Sequence, residues 1–170
     1  MIEGLLAIDP GSNEVGLYWG PGCSRTLYLT DQSLSKSKRA QTPRPERLAN
    51  LLQQLDDFLS VEYHQFKFQF AAYEEQFVRG GGATKALFGA VGVAEAAATR
   101  RGLGMISIPQ STVRKWTMRY SRGEGGAKGG NSACAKYHEP IRWLSEMTEH
   151  ERDACAIWYY MQENGEVDGR

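Results

Sequence analysis

The chain has 170 residues, with 20 basic and 20 acidic side chains and no net charge when histidine is neutral. That length suits a single domain over 1–170, able to bury about two-thirds of its unfolded surface without staples, and the charge balance excludes a general nucleic-acid coat. Cys23, Cys134 and Cys155 form no CxxC pair and cannot all be bridged, and no apolar run approaches the ~20 residues of a membrane span, so a reduced, cytoplasmic protein with no membrane segment is expected.

In chain order, the first predicted element is a strand over 4–9. In "LLAIDPGS", four apolar residues precede Asp9, and Pro10-Gly11 ends the run. Asp9 then closes a strand buried on both faces, where open sheets bind ligands; a turn aspartate bonding its own backbone is the alternative. "VGLYW" (15–19) and "RTLYLT" (25–30) complete an antiparallel meander. "SKSKRAQTPRP" reads as a polar, basic loop, and "ERLANLLQQLDDFLSV" as a helix with Leu48, Leu51, Leu52, Leu55 and Leu59 on one face.

"FKFQFAAYEEQF" alternates, with Phe66, Phe68, Phe70, Ala72 and Glu74 on one strand face and Tyr73, Glu75 and Phe77 on the other. Glu74 thus ends an apolar face with a carboxylate. After "RGGG", residues 83–101 form a helix of small residues that is apolar nearly all round and needs cover on two sides. "MISI" is a short strand, "PQSTVRKWTMRY" a helix and "SRGEGGAKGGN" a basic, glycine-rich loop. In "MTEHERDACAIWYYM", Thr148 and Glu151 form a capping box ahead of the stripe Ala154, Ile157, Trp158 and Met161. His150 and Asp153 project from the first turns of that helix, and residues 165–170 are expected to fray.

This order predicts an α/β fold with a mixed sheet, an antiparallel meander followed by parallel strands, flanked by helices. Asp9 and Glu74 end strands and Asp153 sits on the last helix, 65 and 79 residues apart in turn. Carboxylates that converge from such separations repel one another unless a hard cation lies between them, and oxygen ligands with one imidazole suit Mg²⁺ or Mn²⁺. Two such ions activate a water and stabilise the leaving oxygen of a phosphodiester. Acids at strand ends are also common without any metal. The charge is polarised too. Eight basic residues face Glu124 alone between Arg100 and Lys136, and seven acids face Arg152 and Arg170 from Glu146 onward. That pattern suits a phosphate-binding flank beside an acidic centre, although solvated helix faces give similar counts.

"LLAIDPGS", "AAYEEQF" and "HERDACAIW", in that order, resemble the three acidic motifs of the RuvC-type Holliday junction resolvases, nucleases of the RNase H-like fold. The likeness runs from the first strand to about Met161. It implies that Asp9, Glu74 and Asp153 hold two ions per site, Mg²⁺ with Mn²⁺ as substitute, and that His150, in the family's fourth acidic position, is a further ligand or a proton-transfer group. It implies catalytic work for Lys128, with Lys136 as a rival, and leaves Glu75 as an alternative to Glu74. Phe77 would stack on unpaired bases, or simply end its strand. Phe77, Arg79, Arg114, Lys115, Arg122 and Lys128 are the expected DNA contacts. The implied activity is that of a homodimeric crossover junction endonuclease in DNA recombination and repair. It would nick four-way or related branched DNA symmetrically, leave 5′-phosphate ends and need no nucleotide cofactor. The 83–101 helix would form the dimer interface, with Gly89, Ala90 and Ala97 admitting a second copy. The alternatives are a non-cutting junction-binding protein and an RNase H-like phosphate- or nucleotide-binding protein.

Overall fold

The computed structural model describes residues 2–75, 82–120 and 126–165, with the side chains of 82–84, 126–130 and 141 left out. Its five strands are β1 (Leu5–Pro10), β2 (Glu14–Gly20), β3 (Cys23–Tyr28), β4 (Phe70–Glu75) and β5 (Gly104–Pro109). They form one sheet in the order β3-β2-β1-β4-β5. β1 runs antiparallel to β2, which runs antiparallel to β3; β1 is parallel to β4, and β4 to β5. This is the mixed sheet of the RNase H-like fold.

The apolar run of β1 is buried on both sides because helices cover both sheet faces. Leu6 and Ile8 join Val15, Leu17, Leu51, Leu55, Phe58 and Leu59 in one core, under α2 (Arg44–Phe66) and α3 (Gly82–Arg100). Leu5 and Ala7, pointing the other way, join Tyr18, Ala72, Val113, Ile157 and Met161 in a second core. The second core lies under α4 (Gln110–Thr117), α5 (Gly126–His138) and α7 (Glu149–Asn164). Each fully buried Leu, Ile or Phe contributes about 1.5–3 kcal/mol, so the strand that carries Asp9, buried along its whole length, is firmly anchored. Two short helices, α1 (Lys36–Gln41) and α6 (Ile141–Leu144), complete the described chain. No helix among the described residues is long and apolar enough to cross a membrane.

Four local expectations are corrected. The stretch "SKSKRAQ" is not a loop throughout. Residues 36–41 form α1, capped by Ser35, and the Arg47 guanidinium donates to the carbonyls of Arg39, Ala40 and Thr42 at its end. Phe66, Phe68 and Phe70 do not share a strand face. α2 runs on to Phe66, Lys67 turns the chain with a left-handed φ of 48°, and β4 starts only at Phe70. Phe66 and Phe68 therefore pack in the α2/α3 core, and Phe70 in the other.

The glycine-rich segment is helical from Gly126, so Lys128 lies in the first turn of α5. Glycine costs about 1 kcal/mol per residue in a helix, and packing of Cys134 and Ala135 in the second core offsets it. Finally, the small residues of α3 face the chain's own body. Ala90, Ala94, Ala97 and Ala98 are buried in the first core, and a Cβ on Gly89 would meet Leu48 of α2 at 3.0 Å. The helix they admit is α2 of the same chain, which overturns the expectation that Gly89, Ala90 and Ala97 receive a second copy.

Candidate active site

Register brings the first two acids together. Ile8 pairs with Tyr73 across the parallel β1–β4 ladder, so Asp9 and Glu74 follow it side by side at the strand ends. Both are buried, at 6% and 4% exposure. α7 supplies the rest, and its start is held firmly. Thr148 Oγ1 accepts from the Glu151 backbone N–H at 3.2 Å, while the Glu151 carboxylate accepts from the Thr148 backbone at 3.1 Å and from the Thr26 hydroxyl of β3 at 2.8 Å. Gly16, opposite Asp9 on β2, lets this turn lie directly on the sheet. A Cβ there would stand 2.2 Å from the His150 backbone carbon and oxygen.

His150 and Asp153 thereby reach the strand ends. His150 Nδ1 is 2.5 Å from Asp9 Oδ2, and its Nε2 is 3.5 Å from Glu14 Oε1. The bond to Asp9 pushes the imidazole pKa up despite partial burial. Burial, reinforced by the charges of Asp9 and Asp153, pushes Glu74 up to about 8. Arg114 and Gln110 on α4 pull it partly back. Burial and Asp9 likewise push Asp153 up to about 6, against the hydrogen bond from Asn131 and the charge of His150. Glu74 Oε1 is buried with no hydrogen-bond partner among the described residues.

Three clustered carboxylates, in which the charges of Asp9 and Asp153 raise the proton affinity of Glu74 and that of Asp9 raises Asp153, and of which Glu74 has an orphaned buried oxygen, are a donor set suited to a hard divalent cation. As it stands the cluster is closed on itself. Among the described residues no three acidic, imidazole or thiol groups enclose a common point for an ion, and His150 engages one oxygen of Asp9. The chemistry of the donors fits Mg²⁺ or Mn²⁺.

Of the other expected site residues, Glu75 is exposed and accepts from Ser107 Oγ at 2.9 Å, away from the cluster. Arg114 and Lys115 are exposed on α4, and Arg114 acts electrostatically on Glu74. The Lys128 side chain, and Phe77, Arg79 and Arg122 entirely, lie outside the described residues, as do residues 166–170 of the expected frayed tail. Lys136 is exposed on α5, more than a turn beyond Asn131. Three site residues escape the sequence reading: Glu14 beside His150, and Asn131 with Thr117 behind Asp153. Asn131 had a signal, since in a helix it shares a face with Cys134 and Ala135, but the run of glycines hides that helix. Glu14 had none, because its role depends on α7 folding back onto β2.

No family model and no curated protein matches the sequence. Among solved structures, RuvC of T. thermophilus in complex with a Holliday junction substrate matches over 95% of this chain and 96% of that one, with a TM-score of 0.63 and 18% identity. The Thermus thermophilus RuvC structure matches over the same shares, at 0.58 and 22%. The yeast mitochondrial Holliday junction resolvase Ydc2 matches over 91% of this chain and 77% of its own, at 0.57 and 11%. At such identities it is architecture that is shared, and the chain has the RNase H-like fold of the RuvC-type resolvases.

Proposed function

We propose that this chain is a metal-dependent, structure-selective DNA endonuclease that acts on four-way or related branched junctions. The observation that carries the reading is the convergence of Asp9, Glu74, Asp153 and His150 at one end of the sheet, in a fold shared with junction resolvases. Asp9, Glu74 and Asp153 would hold Mg²⁺ or Mn²⁺, two ions to a site. Bound there, the metal supplies an activated water and charge stabilisation for a phosphodiester's leaving oxygen.

The chain's own residues do the remaining work. His150 keeps its Nδ1 proton on Asp9, and its Nε2 faces Glu14, which leaves the ring placed to carry a proton to or from the cluster. Arg114, exposed on α4 with its charge acting on Glu74, offers a cation to the scissile phosphate, and Lys128 on α5 is assigned the same duty. Phe77, Arg79, Lys115 and Arg122 are assigned to the DNA backbone and unpaired bases.

Symmetric nicking requires two sites, so the reading includes a homodimer, and a cytoplasmic location is proposed with it. The α3 surface left for a second copy is not the small-residue face but the exposed groove of Phe88, Val91, Gly92 and Glu95 beside Tyr73 and Glu75. The test is strand cleavage of a synthetic four-way junction, with Mg²⁺ and with EDTA, beside a matched linear duplex and an ATP-binding assay. Metal-dependent paired nicks with 5′-phosphate ends on the junction alone support the reading. Binding without cutting, or ATP binding, replaces it with a junction-binding or nucleotide-binding protein.

A further inference from the structure

Asp153 accepts one hydrogen bond from a side chain among the described residues, and the donor is not part of the acidic cluster. Asn131 Nδ2 donates to Asp153 Oδ1 at 2.9 Å. Asn131 is itself buried, at 7% exposure. Its carbonyl oxygen Oδ1 accepts from the Thr117 hydroxyl at 3.0 Å, a proton shared with the Arg114 carbonyl at 3.1 Å, and Thr117 is fully buried at the end of α4. An amide has one acceptor side and one donor side. With the acceptor taken by Thr117, the donor side is held toward Asp153. The three residues come from α4, α5 and α7, so the chain Thr117–Asn131–Asp153 joins all three helices that cover this face of the sheet.

We propose that Asn131 is a positioning residue for Asp153, oriented by Thr117, and that it sets the carboxylate for divalent-metal binding. This inference rests on the reading of the cluster as a metal site. A carboxylate on an exposed helix turn samples several rotamers, whereas one oxygen tied to a buried amide leaves the second in a fixed direction. Partners of this kind, which hold a ligand without touching the metal, change metal affinity or activity by about 10- to 100-fold when removed. Asn131 also stands one helical turn after Lys128 in α5, so the same bond sets the register of that lysine-bearing turn against α7.

The test is Mn²⁺ binding to the full, DNA-free chain, followed by thermal shift and by electron paramagnetic resonance of free Mn²⁺, together with single-turnover junction nicking. Asn131→Ala is expected to weaken Mn²⁺ binding about 10- to 100-fold and to slow nicking, with junction affinity unchanged. Thr117→Val, nearly isosteric, is expected to act in the same direction and less strongly, while Thr117→Ser, which restores the hydroxyl, returns Mn²⁺ affinity to the wild-type value. Should Asn131→Ala fold poorly, the Val/Ser pair at Thr117 decides the matter. Wild-type Mn²⁺ affinity in folded Asn131→Ala, or in Thr117→Val, overturns the assignment. Because Mn²⁺ binding is read without DNA, a protein whose Mn²⁺ affinity depends on Asn131 yet which cuts no junction supports this inference and sinks only the nuclease reading.

Discussion

Gly16→Ala tests how the site is assembled, because it adds one methyl group where the sheet touches the start of α7. The new Cβ would lie 2.2 Å from the His150 carbonyl carbon and oxygen and 2.7 Å from the Glu151 nitrogen, where ordinary contact begins at 3.4 Å. More than an ångström must be found, and from backbone atoms. β2 cannot retreat, since Leu17 and Tyr18 beside Gly16 are buried in the two cores. The start of α7 must lift instead, against the Glu151–Thr26 bond. That movement stretches the 2.5 Å His150–Asp9 contact and withdraws Asp153, one turn further on. Overpacking of this size costs about 1–3 kcal/mol of stability, and an ångström of misplacement in a catalytic group costs on the order of 100-fold in rate. The assay is single-turnover nicking of a four-way junction with melting followed by circular dichroism. Val61→Ala, on α2 at a position 69% exposed, is the control and should cut as wild type. A Gly16→Ala protein that nicks at the wild-type rate would refute the claim that the α7 start positions the site.

Further outcomes follow from the same geometry. In metal-free buffer, folded Glu74 and Asp153 keep their protons to about pH 8 and about 6, above the ordinary values of 4.5 and 3.8 to which the unfolded chain returns. Their stabilisation is thus complete below the unfolded values and lost as pH rises through the folded ones, by about 1.4 kcal/mol per pH unit per proton. Glu74→Gln should therefore flatten the fall of Tm between pH 4.5 and 8 in EDTA, and melting curves that run parallel to wild type would contradict the assignment. Ala90→Glu should destabilise the fold itself, as a buried unpaired charge, whereas Phe88→Glu, at a position 52% exposed, should leave Tm near wild type and dissociate a dimer in sedimentation velocity. Charge removal at Arg114 and Lys115 should lower the slope of log affinity against log salt by about one for each phosphate that the side chain neutralises; an unchanged slope would place both away from DNA.

Much of this architecture was legible in the chain because local patterns and tertiary demands agree. Four apolar residues before Asp9 read as a strand buried on both faces, and the two cores on either side of β1 bear that out. Thr148 and Glu151 marked the start of α7 at sequence level, and both capping-box bonds are present. Legibility failed where two signals compete. The Phe66-Phe68-Phe70 alternation imitates a strand, but the amphipathic pattern of α2 carries the helix to Phe66, and the left-handed Lys67 breaks the alternation. The small residues of α3 read as a surface for another copy, because nothing local says that α2 will lie across Gly89. Glycines at 126, 129 and 130 argue for a loop, and packing of the downstream Cys134 and Ala135 overrides them. Asp9, Glu74, His150 and Asp153 stood out as charges at the ends of patterned elements. Glu14, Thr117 and Asn131 matter only through contacts that bring distant segments together, and no local pattern encodes those.

The central claim is that the acids at the strand ends form one metal-dependent cutting site, and Asp153→Asn examines it most directly. The substitution keeps the side chain's size and an acceptor for Asn131 while removing the charge that acts on Glu74. Its measurement is single-turnover nicking of a four-way junction in Mg²⁺ beside a gel shift on the same DNA. Loss of nicking by at least about 100-fold with junction affinity kept is the predicted result. Nicking at the wild-type rate in the folded Asp153→Asn protein would contradict the account.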